Sequence, residues 1–182
     1  MKKFFTRKGD EGFTGLIGDE RVPKHHPRTT AVGDLDEATA SIGVSRAFVK
    51  FPESPQILIQ IQRDLYRVMA EVAATPQNAS RFRTIKQENV TWLESWIQSL
   101  SSQVTLPNEF IIPGDSTPGA FLSLSRTIVR RAERTLTYLF HSKEIENPYL
   151  LQYMNRLSSL LFVLELMEIP FTEKSSPTLA KG

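Results

Sequence analysis

The chain has 182 residues, 40% of them hydrophobic and 23% charged, with 22 basic against 20 acidic side chains and no cysteine. That length supports one domain with a real core. The near balance of charge argues against a nucleic-acid partner, which selects a strong basic excess or patch, and the missing thiols exclude disulfides, thiolate metal sites and cysteine nucleophiles. The start, Met1-Lys-Lys-Phe-Phe5, is basic with no apolar stretch behind it, so it does not read as a secretory leader. The most apolar run, Leu160 to Met167, is short and contains Glu165, so no membrane span is expected. A cytoplasmic location fits both observations and the absence of cysteine.

Residues 1–26 carry Gly9, Gly12, Gly15, Gly18 and Pro23 among small and polar residues and read as loop. A first helix begins near Pro27 without a good cap. Capping residues then precede proline at Ser54-Pro55, Thr117-Pro118 and Asn147-Pro148, and Thr84-Ile-Lys-Gln87 has a capping-box pattern. Ile57, Ile61, Leu65, Val68 and Val72 share one face of a helix over 55–74. Val90, Leu93, Ile97 and Leu100 do the same over 85–101. Longer helices follow over 118–141 and 148–168, the last apolar nearly all round and therefore central. No alternating strand pattern or internal repeat is visible. The expectation is a single all-α domain over 1–182: loop 1–26, a five-helix, mostly antiparallel bundle over 27–170, and a flexible polar tail over 171–182.

Arg126, Arg130 and Arg134 recur at every fourth position and stack three guanidinium groups on one helix face. Such a row faces water, pairs with carboxylates or holds a polyanion; Glu133 neutralises one member at most, and Asp36 and Glu37 on the first helix are candidate partners. The segment Thr6-Arg-Lys-Gly-Asp-Glu-Gly-Phe-Thr-Gly15, followed by Arg21, Lys24 and Arg28, has the glycines, hydroxyls and cations of a phosphate cradle or of a mobile basic arm. Asn155, beside Arg156 on the most apolar helix, is either a satisfied core amide or a ligand contact. Phe110-Ile-Ile-Pro-Gly114 reads as an apolar loop against the bundle. His25 and His26 lack companions for a metal, and Trp92 and Trp96 read as core or interface aromatics.

Taken in order, Thr6–Gly15, Arg21-Val-Pro-Lys24, Gly33-Asp-Leu-Asp-Glu37, Phe110–Gly114, Arg130-Arg-Ala-Glu-Arg134 and Asn155-Arg-Leu-Ser158 resemble the PduO-type ATP:cob(I)alamin adenosyltransferases. The resemblance covers most of residues 4–165. It implies a ferritin-like five-helix bundle assembled as a homotrimer, with sites between neighbouring subunits. By this resemblance the enzyme moves the 5′-deoxyadenosyl group of ATP to the cobalt of cob(I)alamin, giving adenosylcobalamin and triphosphate. Thr6, Arg7, Lys8, Gly9, Asp10, Thr14 and Lys24 match the family's nucleotide loop, and Arg130, Glu133, Arg134 and Asn155 match its ATP-contacting helix residues. Gly15, Arg28 and Arg131 lie within or beside these pieces and join the expected ATP set. Asp36 matches an aspartate that pairs across the interface with the arginine at Arg126, and Phe110 matches a residue on the corrinoid side. Arg130, Asp36, Arg126 and Phe110 are thus the expected catalytic group. Mg²⁺ is expected through the ATP phosphates, and a flavoprotein reductase is the expected source of electrons. Cobalamin enters as substrate.

The chain departs from the family pattern at Thr39, Asp115, Ser123, Val129, Ser159 and Glu165-Leu166. Asp115 places an extra charge near Phe110. These departures keep open a non-catalytic relative that carries or senses the cofactor. A plain bundle with an interfacial arginine network is the third reading.

Overall fold

Helix α6 (Pro148–Met167) buries twelve of its residues, among them Leu150, Tyr153, Leu157, Leu161 and Leu164. Around it, in the computed structural model, stand α1 (Pro27–Phe48), α2 (Ser54–Ala73), α4 (Gln87–Ser101) and α5 (Thr117–His141), with a one-turn α3 (Ala79–Phe82) and a 3₁₀ turn at Ile169–Phe171. The structure describes Phe5 and residues 7–105, 107–174 and 176–181. Across the bundle the packing order is α2, α1, α5, α6, α4. The expected five-helix bundle is therefore present, with α3 as an unpredicted extra turn too short to show a period. Among the described residues no helix is long and apolar enough to cross a membrane.

The predicted apolar faces are the buried ones. Ile57, Ile61, Leu65, Val68 and Val72 are buried on α2, and Val90, Leu93 and Leu100 on α4. Helix α1 adds Ala31, Leu35, Ala38 and Ile42, a narrow stripe of small and branched side chains between its two neighbours. The start signals are less faithful. Asn147 caps α6 as expected, its Oδ1 accepting the Tyr149 N–H at 3.1 Å. The cap of α5 is Ser116, not Thr117, and its Oγ accepts from Gly119 N at 3.0 Å. Ser54 lies inside α2 without capping it. On α4 the capping contact is Asn89 Oδ1 accepting the Lys86 N–H at 3.1 Å. Helix α1 does have a cap, the His26 imidazole, which accepts from Arg28 N at 3.3 Å.

Directional polar contacts mark the two ends of the bundle. At one end the Asn147 amide donates to Glu71 Oε2 and Ile85 O, both at 3.0 Å. At the other, the buried Glu168 carboxylate accepts the Lys50 N–H at 3.0 Å and the Phe51 N–H at 3.2 Å, so the end of α6 captures the α1–α2 turn. Midway, Tyr153 Oη donates to the buried Asp64 carboxylate at 3.2 Å, which Gln60 and Arg67 also reach.

Two segments read as irregular have structure. Residues Phe13–Gly15 (β1) and Arg21–Pro23 (β2) form an antiparallel hairpin, too short for alternation to show in the sequence. It docks on the end of α2, where Ile17 N–H donates to Ala73 O at 2.8 Å and Thr75 N–H to Ile17 O at 3.2 Å. Gly18, at φ 144°, makes the close approach: a Cβ there would lie 2.8 Å from the Thr75 side chain. Part of the tail expected to be flexible is bonded to the Phe110 loop. Ile112 N–H donates to Thr178 O at 2.8 Å and Ala180 N–H to Phe110 O at 2.7 Å.

Arg28, expected from the sequence to face ATP, is 2% exposed and holds the hairpin end of the bundle together. Its Nη1 donates to Val72 O at 3.0 Å and Ala74 O at 2.9 Å, its Nε pairs with Glu144 at 3.1 Å, and its Nη2 reaches the Glu144 carbonyl. Arg28→Ala strands two buried carbonyls and is expected to cost about 2–4 kcal/mol in urea denaturation. Arg28→Lys, lacking the fork of donors, should recover only part. A change below roughly 0.5 kcal/mol, the usual range for surface substitutions, would show the knot to be dispensable.

Candidate active site

Helix α5 runs from the loop that carries Phe110 to the hairpin end of the bundle, and the arginine row lies along it. Arg126 to Arg134 is eight residues, roughly 12 Å of helical rise. The row resolves its own repulsion unevenly. Arg131, just off the row, turns to α1 and pairs with Glu37, with Asp34 Oδ1 at 3.8 Å from its Nε. Thr135 adds a bond to Asp34 at 2.6 Å. Arg131, itself exposed, is thus engaged with carboxylates of α1. Arg134 is exposed and donates to the Arg130 carbonyl at 3.2 Å. The Arg130 guanidinium is exposed and has no intrachain partner among the described residues.

Asn155 corrects one of its two sequence readings. It is exposed, not a core amide. Its Nδ2 donates to Glu133 Oε1 at 3.1 Å, and its Oδ1 accepts from Arg156 at 2.7 Å. Arg156 in turn pairs with Glu94 on α4 at 2.9 Å, a link with no sequence signal because it joins residues 62 apart. The Glu133–Asn155 pair fixes a polar floor between α5 and α6 beside Arg130.

The nucleotide-loop candidates lie on the hairpin. Thr6 is outside the described residues. Arg7 takes φ 62° and Gly12 φ 81°, and Asp10 N–H to Arg7 O (3.2 Å) and Gly12 N–H to Gly9 O (3.1 Å) make two successive turns. Lys24 N–H donates to Gly12 O at 2.8 Å, closing the loop. The Lys24 ammonium lies over Gly9, where a Cβ would stand only 3.3 Å from Nζ. Arg21 is a strut, donating to Lys8 O at 2.7 Å and Phe13 O at 3.3 Å. Thr14 and Gly15 pair with Val22 and Arg21 in the ladder. Among the described residues no group of three or more His, Asp or Glu could hold a metal ion.

At the opposite end, Phe110 is 88% exposed. Asp115, the extra charge beside it, is not free. Thr178 donates to it through N and Oγ1, each at 2.7 Å, and Lys174 pairs with it. The Lys174 hydrogen bond, with the Thr178 N–H, holds the carboxyl down at about 2. Below it sits Glu165, only 5% exposed. Burial pushes its carboxyl up to about 7; the Ser123 hydroxyl and Arg126 pull against that, and Asp115 adds to it. Glu165 Oε2 and Arg126 Nε are both buried without a hydrogen-bond partner. Asp36 is exposed on α1 and likewise has no intrachain partner among the described residues.

The folded chain therefore keeps the Glu165 proton between pH 4.5 and about 7, where an unfolded chain releases it. The resulting stability is present at low pH and lost as pH rises through 7. Glu165→Gln is expected to change urea stability little at pH 5 and to raise it by about 1–3 kcal/mol at pH 8. Equal effects at both pH values would rule out this titration.

The sequence profile of the cobalamin adenosyltransferase family matches residues 4–168. A corrinoid adenosyltransferase PduO of Citrobacter freundii is 39% identical over 166 residues, 90% of this chain; the chain spans 49% of that relative's length. A cobalamin adenosyltransferase of Cupriavidus metallidurans is 38% identical, with 90% of this chain and 86% of the relative covered. A solved variant of the PduO-type ATP:corrinoid adenosyltransferase from Lactobacillus reuteri, complexed with cobalamin and ATP, superposes with a TM-score of 0.87 at 29% identity, covering 99% of this chain and 97% of its own. A second variant of that protein, complexed with ATP, gives 0.86 at 27% identity, covering 98% of this chain and 100% of its own. With a match over nearly its whole length in sequence and in fold, the chain belongs to the cobalamin adenosyltransferase family.

Proposed function

We propose that this chain transfers the 5′-deoxyadenosyl group of ATP to the cobalt of a reduced corrinoid. The observation that carries the reading is the Arg130 guanidinium, exposed on α5 beside the Glu133–Asn155 pair and unpaired among the described residues. A cation row left open where its neighbours are neutralised suits a polyanion.

In the proposed reaction cobalt(I), itself a strong nucleophile, attacks C5′ of ATP. A Co–C bond forms, the C5′–O bond breaks, and its electron pair leaves with triphosphate. Negative charge builds on the phosphate chain, so the chain's work is positioning and charge stabilisation, with no protein nucleophile or general base. Arg130 and Arg134 would hold the phosphates from α5, while Arg7, Lys8, Asp10 and Lys24 close over the nucleotide from the hairpin loop. Mg²⁺ would arrive bound to the phosphates. Phe110 offers an apolar ledge for the lower face of the corrin; excluding a lower ligand there makes cobalt(II) easier to reduce.

The assembly in this proposal is a homotrimer. Asp36 has no partner among the described residues, which supports a contact across an interface; Arg126 leaves its Nε without a hydrogen bond there, although it interacts with Glu165 of its own chain. A cytoplasmic location and a flavoprotein reductase complete the reading. The carrier alternative drew on the departures near Phe110 and Thr39; of these, the charge of Asp115 is taken up by Lys174 and Thr178.

Anaerobic mixing of the protein with chemically reduced cobalamin, ATP and Mg²⁺ should convert the cobalt(I) spectrum to that of an alkylcobalamin. Arg130→Ala should lower kcat on the order of 10²–10³-fold, as expected for one lost stabiliser of transition-state charge, with the circular dichroism spectrum unchanged. A fully active Arg130→Ala protein would overturn the role given to this residue.

A further inference from the structure

Phe110 points into solvent, yet in the proposed reaction it has to meet a flat ring at a fixed height. Its side chain packs on almost nothing, and a cavity of about 360 Å³, lined by Val104, Pro107, Leu166, Ile169, Pro177 and Leu179, lies next to the loop. Gly114, at φ 121° with open space where a Cβ would stand, does not stiffen the loop. The C-terminal segment does fix it. The Phe110 carbonyl accepts from Ala180 N–H and the Ile112 N–H donates to Thr178 O, so residues 178–180 add a short antiparallel rung to the loop.

We infer that residues 176–181, held together with Lys174, are a strap that sets the position of Phe110, and that Asp115 is the latch of the strap, a positioning residue for the corrinoid. The latch is a closed triangle. Asp115 receives Thr178 N–H, Thr178 Oγ1–H and Lys174 Nζ, and Lys174 Nζ also donates to Thr178 Oγ1 at 2.8 Å. Thr172 Oγ1, accepting from Lys174 N at 3.0 Å, turns the chain so that Lys174 faces the loop. Two residues past Phe110, the strap's backbone bond to Ile112 stops, and Asp115 continues the attachment by side chain. The strap also roofs Glu165: Pro177 lines the small cavity into which that carboxyl faces, together with Gly114 and Asp115. This inference rests on the reading of Phe110 as the corrinoid ledge.

The test compares the full-length protein with Asp115→Ala, Thr178→Val and the double variant. Hydrogen exchange should show Thr178 and Ala180 losing amide protection in Asp115→Ala. The KM for reduced cobalamin should rise roughly tenfold with the affinity for ATP unchanged, the signature of a lost positioning contact for one substrate only. The double variant should be little worse than Asp115→Ala, because both changes open one latch. Undiminished protection of Ala180 in Asp115→Ala, an unchanged corrinoid KM, or equal loss of ATP and corrinoid affinity would each overturn the strap. If the wild-type protein proves unable to transfer the adenosyl group, the proposed function fails by itself. Corrinoid affinity is then read by absorbance titration with cob(II)alamin in the presence of ATP, and the same tenfold change is expected or the latch is rejected.

Discussion

Everything in this fold depends on where α6 sits along the bundle axis, and hydrophobic burial does not decide that. The helix is apolar nearly all round, and burial of apolar surface is non-directional. A sliding or rotated α6 would lose little of it. Two buried polar side chains at its ends supply the missing direction. Asn147 reaches Glu71 and the Ile85 carbonyl at one end, and Glu168 grips the Lys50 and Phe51 amides at the other. Each group is buried, so a shifted helix would strand it at the full cost of desolvation. Asn155 and Glu165, which α6 brings to α5, inherit their positions from those two anchors.

Helix α5 shows how one sequence stretch divides structural from functional charge. Arg131 and Thr135 face α1 and are satisfied by Asp34 and Glu37. The Arg130 face is left unneutralised, with Glu133 turned aside to Asn155. Neighbouring arginines thus separate by about one helical residue's rotation into a helix–helix stitch and an open, unneutralised face. The same division separates Arg28 from Lys24 near the hairpin. Arg28 is sunk among carbonyls, whereas Lys24 sits exposed over a glycine.

The helices were legible because their apolar positions repeat at the helical period and their starts carry proline. The family pieces, read in order, pointed to the fold and the chemistry. What escaped has a common cause: it depends on partners far away in sequence. The role of Arg28 is set by Val72, Ala74 and Glu144, none of which marks an arginine as structural. Asn155 looked buried because its helix is, but it lies on the one polar edge of that helix. Asp115 looked like a free charge because Thr178 and Lys174, some sixty residues on, carry no motif. The hairpin strands are three residues each, below the length at which alternation can be seen.

Because a single unbroken helix spans from the Phe110 loop to the hairpin end, α5 is a ruler. Its graduations are 1.5 Å and 100° per residue. Deleting or inserting one residue between Arg126 and Arg134 would shift one end of the row by a single graduation but swing it a quarter-turn or more around the axis, off the α6 side and away from Asn155. Amino-acid replacements within the row change its charge; changes of length destroy its geometry outright. The stretch 117–134 should therefore be closed to insertions and deletions wherever the row keeps its register with α6.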